Sequence, residues 1–194
     1  MPPFRISASQ QTDLPLMYQQ GHFRFWADDG LKVLESPYGK GDLAMLVLLP
    51  DEIEGLSALE AKLTPDNLSH WESGLRRQEV RVFLPRFKLD SQFQLAEVLK
   101  AMGMTRLFTP GEADLSGMSS EQELFVSAVI HKAFVDVNEE GTEAAAASVV
   151  EAKSEESSIA GPAVFRADHP FVFQIRDNRT GSLLFLGRLV NPQG

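Results

Sequence analysis

One unbroken apolar run, residues 43–49 (Leu-Ala-Met-Leu-Val-Leu-Leu), most constrains what this chain can fold into. Pro50 closes the run, and its length is that of a strand rather than of a helix. A strand that is apolar at every position has two faces to hide, so other layers must cover it from both sides. A single sheet with one wet face is therefore excluded. The chain has 194 residues, which is enough to bury such a core without disulfides or metal.

The sequence on either side of this run contains both strand-like and helix-like patterns. Strand-like segments occupy residues 4–26, 31–37, 80–87, 124–137, 164–165, 171–176 and 183–190, and Gly21 and residues 28–30 are expected to be turns. Helical spacing covers residues 56–63 and 93–102, with Gly103 as a C-terminal cap, and a second short helix opens at Pro65. Because crossover helices do not separate most of the strands, the pattern predicts an α+β fold with helices to one side.

Charge and motifs exclude several classes of function. Acidic residues outnumber basic ones by 27 to 18, a net charge of −9, which disfavours nucleic acids and anionic membrane surfaces. The absence of cysteine rules out thiol catalysis and thiolate metal sites. The histidines lack metal-ligand spacing, and neither a nucleophile elbow nor a phosphate loop is present. We therefore expect no metal, no cofactor and no enzyme activity, and no run is long enough for a transmembrane helix.

Residues 139–163 differ from the rest of the chain. They hold six glutamates and one lysine, together with many alanines and almost no large apolar residue. Taken locally, Thr142 is a good helix N-cap and residues 143–147 are strong helix formers, so the segment could be a short solvated helix in a surface loop. Composition and spacing alone do not give a function.

Five segments, in order along the chain, resemble the serpin family. They are Leu84–Phe87, His131–Phe134, Val137–Ser148, His169–Phe173 and Leu184–Pro192. The chain is identified as a member of this family from Phe4 to Pro192. The resemblance implies a serpin-like multi-sheet α+β fold, with residues 1–194 as one domain and residues 139–163 as the hinge and reactive loop.

Inhibitory serpins are suicide substrates of serine proteases, and some inhibit cysteine proteases. The protease cleaves the loop and becomes acylated, and the loop then inserts into the large sheet as a strand. The hinge implied by the resemblance comprises Glu139, Glu140, Gly141, Thr142, Glu143, Ala144, Ala145, Ala146, Ala147 and Ser148. An inserted strand needs small uncharged residues at every second position, and Thr142, Ala144, Ala146 and Ser148 meet this need. A helix would not require that parity, so the hinge is favoured over the helix.

Further residues of this chain match single positions of the family. Arg86 resembles the basic partner of Glu139, and His131 resembles the shutter histidine of the family; the alternative for His131 is a residue on a buried strand without a ligand role. Counting from the hinge places the reactive bond between Glu155 and Glu156. Counting back from Phe171 gives Ile159–Ala160 instead, and Lys153–Ser154 is a third candidate, suited to trypsin-like proteases.

A complete serpin is about twice as long as this chain. We therefore expect the N-terminal helices and part of the large sheet to be absent, and inhibition by this chain alone to be doubtful. The alternatives are a non-inhibitory serpin module, and a fragment that only associates with a complementary N-terminal half or with itself. The resemblance implies an extracellular protein, but residues 1–10 lack the apolar stretch of a secretory signal, which leaves an intracellular location open.

Overall fold

The computed structural model of the chain describes residues 3–119, 124–139 and 161–193. These residues belong to two compact units. Unit 1 comprises residues up to Phe87 and from Val137 onwards, and unit 2 comprises Lys88–Asp136. The expectation of a single domain over residues 1–194 stays a prediction.

Strands dominate the described residues, as the α+β prediction requires. The strands are β1 Phe4–Arg5, β2 Gln11–Thr12, β3 Leu16–Asp28, β4 Leu31–Tyr38, β5 Leu43–Pro50, β6 Arg76–Pro85, β7 Phe87–Gln94, β8 Ile130–Val137, β9 Ala163–Arg166, β10 Phe171–Asp177 and β11 Leu183–Leu189. The helices are α1 Leu56–Ala61, α2 Pro65–Gly74 and α3 Ala96–Ala101, with a 3₁₀ turn at Arg106–Phe108.

A seven-stranded sheet forms the frame of unit 1, in the order β11-β10-β5-β4-β3-β6-β9. All its pairings are antiparallel except that of β6 with β9. Residues 44–49 of β5 are at most 2 % exposed, which confirms that both faces of this strand are covered. On one face, Leu46 and Leu48 belong to a core cluster with Leu59 of α1 and Trp71 of α2. The apolar run therefore lies inside the sheet and supports helices on one of its sides.

The two helices of unit 1 begin where the sequence predicts. Leu59 of α1 is buried, in agreement with the helical spacing of residues 56–63. Thr64 is the N-cap of α2, and its hydroxyl accepts a hydrogen bond of 3.2 Å from the backbone N–H of Asn67. Pro65 occupies the first turn, where its missing N–H costs nothing.

The turn expected at Gly21 is wrong, because Gly21 lies inside β3 opposite Val80 of β6. The ladder between β3 and β6 runs without interruption from Leu16 to Phe25, and these hydrogen bonds outweigh the local preference of glycine for turns. The turn expected at residues 28–30 is confirmed. Asp29 (φ 50°) and Gly30 (φ 73°) both lie in the left-handed region that a tight two-residue hairpin requires.

Three element boundaries also need correction. The strand expected over residues 124–137 begins at Ile130, since Val126 donates its N–H to Leu107 O (3.0 Å) instead of joining a ladder. The helix expected over residues 93–102 begins at Ala96, because Phe93 belongs to β7. The strand expected over residues 80–87 divides into β6 and β7 on either side of Arg86.

A buried ion network links three strands and a helix of unit 1. Glu35 of β4 is 8 % exposed and accepts hydrogen bonds from Arg24 Nη1 of β3 (2.7 Å) and Arg176 Nη2 of β10 (2.8 Å). Arg176 Nη1 also pairs with Glu72 of α2. Glu35 thus pairs with two cationic side chains while its own carboxylate is largely shielded from solvent.

A second polar cluster ties the first strand to the segment before β10. His169 is buried, with Nε2 donating to the carbonyl oxygen of Pro50 (2.6 Å) and Nδ1 2.9 Å from Asp168 Oδ1. Arg5 Nη2 lies 3.0 Å from the same carboxylate oxygen. Burial raises the pKa of Asp168, but the hydrogen bonds from His169 and Arg5 outweigh burial and hold the pKa below its ordinary value.

We expect Asp168→Asn to lower the free energy of unfolding by about 2 kcal/mol at neutral pH, the size of a hydrogen bond to a charged group. Because the folded pKa is depressed, the stabilisation by Asp168 is present above the unfolded pKa of about 3.9 and is lost as pH falls through the folded pKa. Urea unfolding between about pH 6 and pH 3 should therefore show the two proteins converging at the acid end. A difference that does not depend on pH would contradict this account.

Candidate functional site

An ion pair stands at the start of the acidic segment 139–163. Arg86 Nε donates to Glu139 Oε1 at 2.6 Å, and Arg86 Nη2 contacts the same oxygen. Both side chains are exposed, at 63 % and 43 %. The hydrogen bond from Arg86 holds the pKa of the Glu139 carboxyl below its ordinary value, although desolvation opposes it. The structure thus brings together two residues that the resemblance alone linked.

Buried neighbours fix the backbone on both sides of this pair. Phe87 follows Arg86 and is 2 % exposed, with its ring centroid 6.0 Å from that of Phe171 and 5.4 Å from that of Phe173. Val137, two residues before Glu139, is 9 % exposed. The chain is therefore anchored beside Arg86 and Glu139, while the two charged side chains face solvent.

An apolar cavity of about 260 Å³ adjoins the pair in unit 1. Glu139 lies at its edge, and its apolar walls include Phe23, Leu34 and Val47. Gln19 also lines it, and the Oε1 atom of Gln19 is buried without a hydrogen-bond partner. Sequence reasoning missed Gln19, because an alternating strand gives no signal for which polar residue will be left beneath its neighbours.

The rest of the expected site lies outside the described residues. This holds for the hinge residues Glu140, Gly141, Thr142, Glu143, Ala144, Ala145, Ala146, Ala147 and Ser148, and for the reactive-bond candidates Lys153, Ser154, Glu155, Glu156, Ile159 and Ala160. Their roles stay predictions.

His131 lies on β8 in unit 2. Its ring stacks on that of Phe93, with centroids 6.4 Å apart and an interplanar angle of 27°. His131 is exposed, so it does not lie on a buried strand in this chain, and its assignment as the shutter histidine stays a prediction. Exposure follows from the partner of the strand, since β8 pairs with β7 alone in the two-stranded sheet described here.

The described part of the chain holds neither a cluster of metal ligands nor a helix suited to crossing a membrane. Within residues 3–119, 124–139 and 161–193, no three side chains of His, Cys, Asp or Glu converge as metal ligands would. In the same ranges, no helix has both the length and the apolar character needed to cross a membrane.

Known proteins of one family match this chain along nearly its whole length. A family model described as Serpin (serine protease inhibitor) matches residues 1–192. Leukocyte elastase inhibitor from Xenopus laevis and serpin B9 from Homo sapiens are each 43 % identical to this chain, covering 98 % of it and 51 % of their own length. Serpin B3 from Homo sapiens is 47 % identical over 90 % of this chain and 45 % of its own.

Solved structures agree with these relatives. The crystal structure of uncleaved ovalbumin superposes with a TM-score of 0.82 at 36 % identity, covering 98 % of this chain and 48 % of the ovalbumin chain. This likeness confirms the predicted α+β architecture with its large multi-strand sheet. The chain spans about half the length of the curated relatives it matches.

The expectation of no enzyme activity needs correction. It rests on missing catalytic motifs, and missing motifs do not establish that a chain lacks activity. The relatives replace it with a positive description, since the leukocyte elastase inhibitors are named for blocking a protease.

Proposed function

The chain belongs to the serpin family, and from this premise we propose that residues 139–163 are the reactive loop of a serine protease inhibitor. The target protease would be of the serine class, and cysteine proteases are a second class for this family. The observation that carries the proposal is the hinge, where Thr142, Ala144 and Ala146 place small uncharged side chains at every second position. A segment that enters a sheet as a strand needs this alternation on its buried face, whereas a helix does not.

The proposed reaction uses the chemistry of the protease and the mechanics of the loop. The serine Oγ attacks the carbonyl carbon of residue 155, the bond to the nitrogen of residue 156 breaks, and that nitrogen leaves with the proton. The product is an ester between the protease and residue 155. From Glu139 to Glu155 the strand would extend roughly 50 Å, at about 3.3 Å per residue, enough to carry an attached protease far along a domain.

The Arg86–Glu139 pair supports this proposal as a tether at the base of the loop. Its two side chains are exposed, and exposed ion pairs contribute little to stability. Such a pair can position Glu139 before cleavage and still open at low cost when the hinge moves. Buried Phe87 and Val137 keep the flanking strands in place during that movement.

We expect cleavage between Glu155 and Glu156 to be the event that leads to a trapped complex. Inhibition by this bond requires a protease whose specificity pocket is basic. The name of the elastase inhibitors favours Ile159–Ala160 instead, because elastase has a small apolar pocket. Digestion with glutamyl-, elastase- and trypsin-type proteases, with mass spectrometry of the fragments, separates the three bonds.

Each cleavage must be paired with a test for covalent complex on a denaturing gel, because any exposed loop is open to nicking. Complex formation only with cleavage after Lys153 or Ile159 would show that our count from the hinge is wrong. The inhibitor proposal itself would survive that result.

A second function, association with a complementary chain, is favoured by the edge of the sheet in unit 1. Strand β11 ends the seven-stranded sheet, and Leu183, Leu184, Phe185 and Leu186 are 38–55 % exposed. Both faces of this edge strand are apolar, and such an edge invites pairing with another strand. The partner would be an N-terminal serpin half or a second copy. Sedimentation of the chain alone and with such a half distinguishes the two.

The extracellular location implied by the resemblance gains no support from the relatives, because their names state no compartment. It stays a prediction. A non-inhibitory role is disfavoured by the hinge, since from Thr142 to Ser148 no charged or bulky residue occupies the positions that insertion would bury.

A further inference from the structure

A cleft of about 480 Å³ lies in unit 1, away from the loop root. The hairpin turn between β3 and β4, the end of β5, and helices α1 and α2 supply its walls. Its volume falls within the range of small-molecule sites. None of the residues assigned to the hinge, the reactive bond or the Arg86–Glu139 pair lines it.

The cleft has an apolar floor with aromatic side chains. Leu31, Leu59 and Trp71 line it, and each is at most 7 % exposed as part of the core cluster. Trp26 lines it too, with its ring centroid 6.3 Å from that of His70 and the two rings nearly perpendicular. A ligand in this cleft would therefore meet apolar surface and indole rings.

The charges at the opening are mainly negative. Asp28, Asp29 and Glu52 line the cleft and are exposed, against one lysine, Lys62. Three carboxylates and one ammonium give these four side chains a net charge of −2. Lys62 Nζ lies 3.7 Å from Asp29 Oδ2, in a pair with both side chains largely exposed. This charge favours a cation and repels an anion.

The walls are held in place before any ligand arrives. Asp51 N–H donates to Gly30 O (2.8 Å), which ties the hairpin turn to the end of β5. Gly55 N–H donates to Glu52 O (3.0 Å), and the Asn67 side chain donates to Lys62 O (2.7 Å). A site with fixed walls loses little conformational entropy on binding.

We propose that this cleft binds a small organic cation, a primary ammonium group carried on an aromatic or alkyl body. The body would contact Leu31, Leu59 and the indole rings, where a cation also gains from the negative ring faces. The ammonium would sit among the carboxylates of the opening. Both halves of the ligand are needed, because the carboxylates are exposed and exposed charge pairs are weak by themselves.

Phenethylamine is a suitable probe, with phenethyl alcohol as its uncharged counterpart and ethylammonium as the charge without the ring. The chain has two tryptophans, and both line the cleft, so tryptophan fluorescence reports on this place. We expect saturable binding of phenethylamine with a dissociation constant of roughly 1 mM, the range for so small a ligand. The alcohol and ethylammonium should each bind at least about tenfold more weakly.

Isosteric variants assign the site. Asp28→Asn, Asp29→Asn and Glu52→Gln should each weaken phenethylamine binding about 2- to 5-fold, and Lys62→Met should strengthen it by a similar factor. Asp29→Asn also suits the left-handed backbone of the turn, so misfolding is not expected. Asp13→Asn makes the same charge change at an exposed position outside the lining and serves as the matched control.

Any of three results would overturn the proposal. The first is equal binding of the amine and the alcohol, which would show that only apolar surface binds them. The second is the absence of a saturable fluorescence change up to about 10 mM amine, ten times the expected dissociation constant. Equal weakening by Asp13→Asn and Glu52→Gln would likewise contradict it, because the effect would then be one of net charge alone.

Discussion

Replacing Thr142 with arginine is expected to abolish trapping of a protease while leaving cleavage of the loop intact. Position 142 is the first small residue on the face of the hinge that insertion would bury. Placing a guanidinium there without a partner costs far more than placing a hydroxyl. Insertion would slow, the ester with the protease would be hydrolysed first, and the inhibitor would become a substrate. The gel-stable complex should fall to the background level.

The neighbouring residue gives the matched control. Glu143→Arg introduces the same side chain one position later, on the face that stays in solvent if the hinge inserts as a strand. We expect this variant to retain most of the complex. The comparison is made with the chain paired with the N-terminal half of a relative such as serpin B9. Equal loss of trapping in both variants, or retained trapping in Thr142→Arg, would rule out insertion with this parity.

The second large effect concerns the ion network of unit 1. Glu35→Ala removes the carboxylate shared by Arg24 and Arg176, and the Arg176 side chain is only 15 % exposed. Breaking a buried pair costs about 3–5 kcal/mol, and we expect about 2–4 kcal/mol here because Arg24 is half-exposed and can turn to solvent. Urea unfolding followed by tryptophan fluorescence measures this, since both tryptophans lie in the same unit as Glu35.

An exposed glutamate on the same sheet calibrates the change. Glu79 of β6 accepts a hydrogen bond from Gln20 at 2.8 Å in solvent, so Glu79→Ala should alter stability by less than about 0.5 kcal/mol. Arg176 keeps its pairing with Glu72 in Glu35→Ala, which also limits the loss. A loss no larger than that of Glu79→Ala would mean that the network does not stabilise the fold.

Features with a strong local cause could be predicted from the sequence. The run at residues 43–49 predicts a strand covered on both faces because no position along it is polar. Thr64 and Pro65 predict the start of α2 because a cap and a first-turn proline act within three residues. The turn at residues 28–30 was predictable because its backbone needs residues that tolerate positive φ.

Features that depend on distant partners could not be predicted in this way. Local sequence predicts a turn at Gly21, but β6 pairs with β3 across this position. Local sequence also predicts a strand over residues 124–129, but these residues join no ladder. Arg86 and Glu139 are 53 positions apart, so no local pattern links them, and only the family resemblance predicts their pairing. The cleft lined by Trp26 and Trp71 could not be predicted, because three separate segments build its walls.

The most direct test of the central claim, that the loop traps a protease, is the mass of what remains after the reaction. The chain, paired with an N-terminal serpin half, is incubated with a glutamyl-specific serine protease and examined by denaturing mass spectrometry. We predict one covalent species, the protease joined through an ester to residues 1–155, together with released residues 156–194. Unmodified protease beside two free fragments of the cleaved chain, with each of the three protease types, would contradict the account.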